Sequence, residues 1–190
     1  MIAGAAAVAV GKVLAAWDRT HFLIRRDDGL LSKVETIDDA PPANAWVETV
    51  GTAESDLFNV NLLQAVWRPN NDGSNAVESV TCTTAKAILE NERGQHEISH
   101  EFYGRTVRLT GIVRSIKEKD GRTAVITIEN EGYQIAVRVS NVVGALPATP
   151  PGSVIEATGV CVFDIDNWYP DAPFPYVKGF FVVPRTAEDI

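Results

Sequence analysis

The residues of this chain that could do chemistry are three histidines, two cysteines and a scatter of carboxylates. Their spacing favours little of it. His96 and His100 stand four apart and would share one face of a helix. Two imidazoles make a weak metal site, because zinc takes about four ligands, and no third ligand is evident, so a solvated linker face is the better reading. Cys82 and Cys161 are far apart and form no C-x-x-C pair, and with His21, His96 and His100 they complete no finger-like spacing. They read as buried free thiols, with a disulfide between them open in an oxidising compartment. Asp164, Asp166 and Asp171 resemble part of a calcium loop, but the glycine and the distal bidentate glutamate are lacking. Asp27-Asp28-Gly29 is better explained as a hairpin turn. There is no G-x-S-x-G, no H-E-x-x-H and no glycine-rich phosphate loop. The expectation is a protein that is not an enzyme, with no metal and no cofactor.

Aromatic residues offer more. Residues 166–176 read Asp-Asn-Trp-Tyr-Pro-Asp-Ala-Pro-Phe-Pro-Tyr. Trp168, Tyr169, Phe174 and Tyr176 could form a stacking platform, which in single-strand binders contributes roughly 1–3 kcal/mol per base. Lys117, Lys119 and Arg122 are the cations expected in a loop near it. Two plainer readings compete. Three prolines stiffen the segment, so its aromatics could fold back over a hydrophobic core, or they could meet another protein.

Composition sets the frame. A chain of 190 residues holds one large β-domain or two small ones. Its formal net charge of −8 repels phosphate backbones and argues against a general nucleic-acid binder, though not against a local basic groove. Nothing approaches the roughly 18–20 apolar residues that a membrane span requires. The opening Met-Ile-Ala-Gly-Ala-Ala-Ala-Val-Ala-Val lacks a basic leader and reads as the approach to a strand.

An internal repeat supplies the elements that must hold these residues. Ala7–Ala16 and Val107–Ile116 are alternating strands with a central glycine, Gly11 and Gly111. Phe22–Val34 and Val125–Val137 each read strand, polar turn ending in glycine, strand. Pro41-Pro42 and Pro150-Pro151 each precede a further strand, Ala45–Gly51 and Val154–Gly159. The last strands are Phe58–Val66 and Tyr176–Val183. Glycine inside a strand marks a bulge or bend, which a small barrel needs to carry one strand round both halves of its sheet. Between the repeats, Asn70–Asn75 is a turn-rich break, and Thr83 or Thr84 caps a helix over about Ala85–Glu92. Ala85, Ile88 and Leu89 share its apolar face.

The fold expected is therefore all-β: two tandem five-stranded OB-like barrels, 1–70 and 104–190, joined by a linker with a short helix, 71–103. In such barrels ligands lie across strands two and three and the loops beside them. That frame makes Trp168, Tyr169, Phe174, Tyr176, Lys117, Lys119 and Arg122 the candidate ligand-binding residues.

The stretch from about Ala85 to Ile190 resembles the OB-like modules in the extracytoplasmic regions of bacterial sensor histidine kinases and diguanylate cyclases. The matching residues are Val107-Arg-Leu-Thr-Gly-Ile-Val113, Pro151-Gly-Ser-Val-Ile-Glu-Ala-Thr-Gly-Val160 and Phe181-Val-Val-Pro-Arg-Thr-Ala-Glu-Asp-Ile190. The resemblance implies a non-catalytic binding or sensory module of a bacterial signalling protein, placed outside the cytoplasm and meeting a protein partner or a small ligand. The acidic net charge makes nucleic acid an unlikely partner. The alternatives are a single-stranded nucleic-acid-binding OB-fold protein and a structural spacer.

Overall fold

The computed structural model describes residues 4–55, 59–70, 79–119, 121–140, 149–166 and 176–190. The described residues divide into two compact units. The first carries β1 (Ala6–Trp17), β2 (His21–Arg26), β3 (Leu31–Thr36), β4 (Trp46–Ser55) and β5 (Val60–Pro69). The second carries β6 (Val80–Cys82), α1 (Ala85–Leu89), β7 (Thr106–Lys119), β8 (Thr123–Asn130), β9 (Tyr133–Ser140), β10 (Val154–Asp166) and β11 (Tyr176–Val183). The molecule is all-β, and α1 is the one α-helix among the described residues.

The first unit is a closed barrel of order β1-β2-β3-β5-β4, with β4 returning to β1 and β3 lying parallel to β5. Its core is Ala9, Val13, Phe22, Ile24, Val34, Val47, Leu62 and Ala65. In the second unit the sheet runs β10-β11-β9-β8-β7-β6, and β10 also pairs with β7 from Val154 to Val160. The expected strands are all present, but several run further than expected. Lys117 and Lys119 are strand residues of β7, not loop residues, and Asp164 and Asp166 lie within β10.

The two first strands bend by the same device. In β1 the pairing with β2 slips between Val13 and Ala15, and in β7 the pairing with β8 slips between Val113 and Ser115. Each slip is a β-bulge two or three residues after a glycine, Gly11 or Gly111. A Cβ on Gly11 would stand 2.3 Å from the carbonyl oxygen of Arg25, and one on Gly111 3.0 Å from that of Glu129. Only a residue without a side chain lets the crossing backbone come so close. The bulge also shifts the alternation, so that Val113 and Ile116, three apart, both face the core.

Residues 80–103 pack with the second unit. Thr84 caps α1 by accepting a hydrogen bond from the Ala87 N–H at 3.2 Å. Asn130 accepts from the Ala85 N–H at 2.6 Å and donates to the Thr110 carbonyl at 2.7 Å, which ties α1 to the sheet. Ala85, Ile88, Leu89 and Phe102 join Val107, Leu109, Ile126, Val137 and Phe163 in one core, as the apolar face of the helix requires. Tyr133 donates to the Glu90 carboxylate, which pushes the phenol up from its ordinary value.

The cysteines differ from expectation. Cys161 is buried, but Cys82 is exposed, because β6 is an edge strand that pairs only with β7. Both are free, so no disulfide joins them. Burial pushes the Cys161 thiol far up, away from thiolate formation. A thiol reagent at pH 8 is expected to label one cysteine in the native protein and two in guanidinium. Two labels in the native state would contradict the burial of Cys161.

Candidate functional site

The outward face of the second sheet is set by alternation. Ile126, Ile128, Ile135, Val137 and Val139 face the core, so Val125, Thr127, Gln134, Ala136 and Arg138 face out. On β7, Ile116 packs inward, so Lys117 faces out and Glu118 takes the opposite side of the strand. Register then joins the rows. Lys117 lies opposite Val125, and Val125 opposite Arg138. Lys117 and Arg138 are thus two strands apart on one face, about 9–10 Å between backbones.

Arg138 has a defined seat. Its guanidinium carbon stands 4.1 Å over the centre of the Phe181 ring, on β11. Phe181 pairs with Ala136, next to Arg138 on β9. The ring is 4% exposed, so it serves as a floor under the cation. Neighbouring charges on this face are internally balanced. Arg114 donates to Glu129 at 2.9 Å, and this contact holds the Glu129 carboxyl below its ordinary range and the Arg114 guanidinium above its own. Lys117 and Arg138 stand in one row with Val125 between them.

The equivalent row of the first unit has another character. There Trp17 lies opposite His21, and His21 opposite Glu35. Trp17 stacks on His21 with ring centres 6.0 Å apart and is 3% exposed. A buried tryptophan, a histidine and a glutamate do not make a phosphate surface. The repeat therefore has one architecture and two surfaces.

Of the residues expected at the site, Lys117 is exposed on β7 and Arg122 is exposed in the β7–β8 turn, beside Gly121 at φ 67°. Lys119 ends β7 opposite Thr123, and Tyr176 begins β11 opposite Asp166. Trp168, Tyr169 and Phe174 lie outside the described residues. Phe181 is a member of the site that sequence reasoning misses. The pair Phe180-Phe181 is visible in sequence, but which ring faces out depends on strand phase, and Arg138 is its neighbour only through the β9–β11 pairing.

Metal chemistry gains nothing here. Among the described residues no three His, Cys, Asp or Glu side chains come together as a metal site. His96 places Nδ1 3.0 Å from the Leu89 carbonyl oxygen, and His100 meets the Phe163 ring edge-on at 6.0 Å between centres. Among the described residues no helix is long and apolar enough to cross a membrane.

No family model matches the chain, and no curated protein matches it. Solved structures similar to it include a murine DNA-binding protein bound to double-stranded DNA, at 10% identity and a TM-score of 0.34, covering 93% of this chain and 93% of that one. Another is the tetrameric p202 HIN2, at 9% identity and a TM-score of 0.36, covering 95% and 89%. A third is the Ifi202 HINa domain in complex with 20-bp double-stranded DNA, at 8% identity and a TM-score of 0.29, covering 91% and 93%. None of these three is a module of a sensor kinase or a diguanylate cyclase. The resemblance to extracytoplasmic signalling modules is therefore set aside. The sensory role, the location outside the cytoplasm and the protein or small-ligand partner that it implied are corrected with it, and so is the expectation, drawn from the acidic net charge, that nucleic acid is an unlikely partner. The physical reason lies in the residues that carried it. They are the glycines and alternating apolar positions of β7, β10 and β11, which build strands and identify no family.

Proposed function

We propose that the chain is a nucleic-acid-binding protein of two OB-like barrels, 1–70 and 104–190, linked through 71–103, and that it holds a single strand on the outer face of β8 and β9. The observation that carries this is the Lys117–Val125–Arg138 row with Arg138 seated on Phe181. Lys117, Lys119 and Arg122 neutralise phosphates. Arg138 presents a flat, charged surface on which a base can stack. Trp168, Tyr169 and Phe174, between β10 and β11 in the chain, and Tyr176, the first residue of β11, are the aromatic residues of the proposed site. The strand order of each unit supports the barrel reading, since β1-β2-β3-β5-β4 and β7-β8-β9-β11-β10 are the same path. A net charge of −8 makes this a local contact with no broad attractive field. The protein works by binding, without catalysis.

The test is fluorescence anisotropy with a labelled dT20 oligonucleotide and with a 20-bp duplex, from 50 to 300 mM NaCl. The double variant K117Q/R138Q is expected to bind dT20 about a hundredfold more weakly or worse, because hydrogen bonds to charged groups contribute about 1.5–3 kcal/mol each. The slope of log K against log salt should fall by about 1.4, since each phosphate that a single strand no longer has neutralised lowers it by about 0.7. No binding of dT20 by the wild type at 50 mM NaCl would end this proposal. Tighter binding of the duplex would move it from single to double strands.

A further inference from the structure

The first strand of each barrel is longer than the neighbour on one of its sides. In β1, the Val13 N–H donates to the Ala45 carbonyl at 2.8 Å, the Val13 carbonyl accepts from the Asn44 N–H at 2.8 Å, and the Ala5 carbonyl accepts from the Ala53 N–H at 2.9 Å. The register of β1 with β4 is unbroken from Ala6 to Lys12. Odd-numbered residues therefore turn their backbone groups toward β4, and Ala6, Val8 and Val10 turn theirs the other way. On that side β2 starts to pair only at Gly11. Among the described residues, no strand pairs with the edge from Ala6 to Val10.

In the second unit the matching edge is covered. Counting back from Gly11 and Gly111, Thr106, Arg108 and Thr110 stand where Ala6, Val8 and Val10 stand. There β6 pairs with Thr106–Arg108, the Arg108 carbonyl accepts from the Thr83 N–H at 3.1 Å, and the Thr110 carbonyl accepts from the Asn130 side chain at 2.7 Å. Thr106 is buried in consequence, whereas Ala6 is exposed. The fold thus accepts a further strand at this edge, and β6 supplies it in the second unit.

Open edges usually carry a charge, a proline or a bulge that blocks pairing with another chain. Residues 4–10 read Gly-Ala-Ala-Ala-Val-Ala-Val and carry neither charge nor proline, and the bulge of β1 comes only after Val13. Val8 is 59% exposed and begins an outward row that continues through Val50, 40% exposed, and Val66, 45% exposed. In the adjoining row Glu48 and Arg68 neutralise each other at 2.7 Å. This face therefore adds no net charge beside the edge.

We infer that this edge joins two copies of the chain, β1 against β1, antiparallel about a two-fold axis at Val8. An uncharged edge matches a second copy of itself, because no like charges are brought opposite each other. The two copies of Val8 oppose one another, and Ala6 of each opposes Val10 of the other, small against large. Each of these pairs exchanges two backbone hydrogen bonds. The valine row then runs unbroken across both sheets. At longer range the net charge of −8 on each copy opposes the contact. Salt screens that repulsion, so it strengthens this contact while it weakens a phosphate contact. The inference goes beyond nucleic-acid binding and does not depend on it.

Sedimentation equilibrium of the full chain from 2 to 200 µM, at 50 and 500 mM NaCl, tests it. Val8→Lys sets two lysines against each other at the axis. Val8→Pro removes the central N–H of the open edge, which β4 does not use. The expected result is a wild-type dimer at 200 µM that is about threefold tighter or more at the higher salt, and folded variants that associate about tenfold more weakly or worse. Hydrogen exchange of the wild type, read by mass spectrometry on peptides covering residues 4–10, should be slower at 200 than at 2 µM. A wild type that is monomeric at 200 µM in 500 mM NaCl overturns the inference, and so does a dimer that the folded variants retain. If neither variant folds, the exchange decides, and equal rates at both concentrations overturn the inference. Binding of dT20, measured separately, stands or falls without it.

Discussion

Replacing Phe163 by alanine is expected to destabilise the second unit by about 3–5 kcal/mol, the range for emptying a fully buried phenylalanine site. Phe163 is completely buried on β10. Its ring stacks on Tyr103 with centres 4.7 Å apart and planes 17° from parallel, and receives His100 edge-on. These partners come from the chain segment before β7, so the ring joins that segment to the core as well as filling space. Aromatic pairs of this kind add about 0.5–1.5 kcal/mol beyond area burial. A unit of this size has a total stability of about 5–15 kcal/mol, so the loss consumes a large share of it. Urea unfolding followed by far-ultraviolet circular dichroism measures the change, with Phe163→Leu as the companion that restores most of the volume. A cost below about 1 kcal/mol for the alanine variant would mean that this ring is not the centre of the core.

Gly11→Ala should be the more damaging of two formally identical changes. The added methyl carbon would sit 2.3 Å from the Arg25 carbonyl oxygen and 2.9 Å from the Arg26 Cα, both backbone atoms that cannot rotate away. At Gly111 the nearest atoms are 3.0 Å off, and two of them belong to the Ile128 side chain, which can give by a few tenths of an ångström. The expectation is a cost of about 3 kcal/mol or more at Gly11 and about 1 kcal/mol at Gly111, within and above the usual range for overpacking. The first change strains the β1–β2 crossing, and the second the β7–β8 crossing. Thermal unfolding of both variants beside the wild type checks the order. Equal losses would show that the close approach in the first barrel relaxes freely.

Much of this fold is legible in the residues alone. Period-two alternation marks Val107, Leu109 and Val113 as inward, and they are in the core. The helix after Thr84 is legible from a capping residue followed by Ala85, Ile88 and Leu89 on one face, and the helix runs Ala85–Leu89. Glycines in step across the repeat mark two strands that must bend. What misleads is the end of β7. Apolar residues at Val113 and Ile116 break the alternation, which reads as a strand giving way to a loop. A bulge produces the same phase slip without ending the strand, and it carries Lys117 and Lys119 onto the sheet.

What the sequence determined by itself is local: which residues are strand, which turn, and which side of a strand each side chain takes. Those follow from backbone sterics and alternation over a few residues. The tertiary structure decided adjacency. Lys117, Val125 and Arg138 form one row because three strands pair in one register, and Lys12 meets Arg25 for the same reason. The parallel β9–β11 pairing puts Phe181 beneath Arg138 across 43 residues of chain. Register is a collective property of paired strands, and a shift of one residue would turn every one of these side chains to the opposite face.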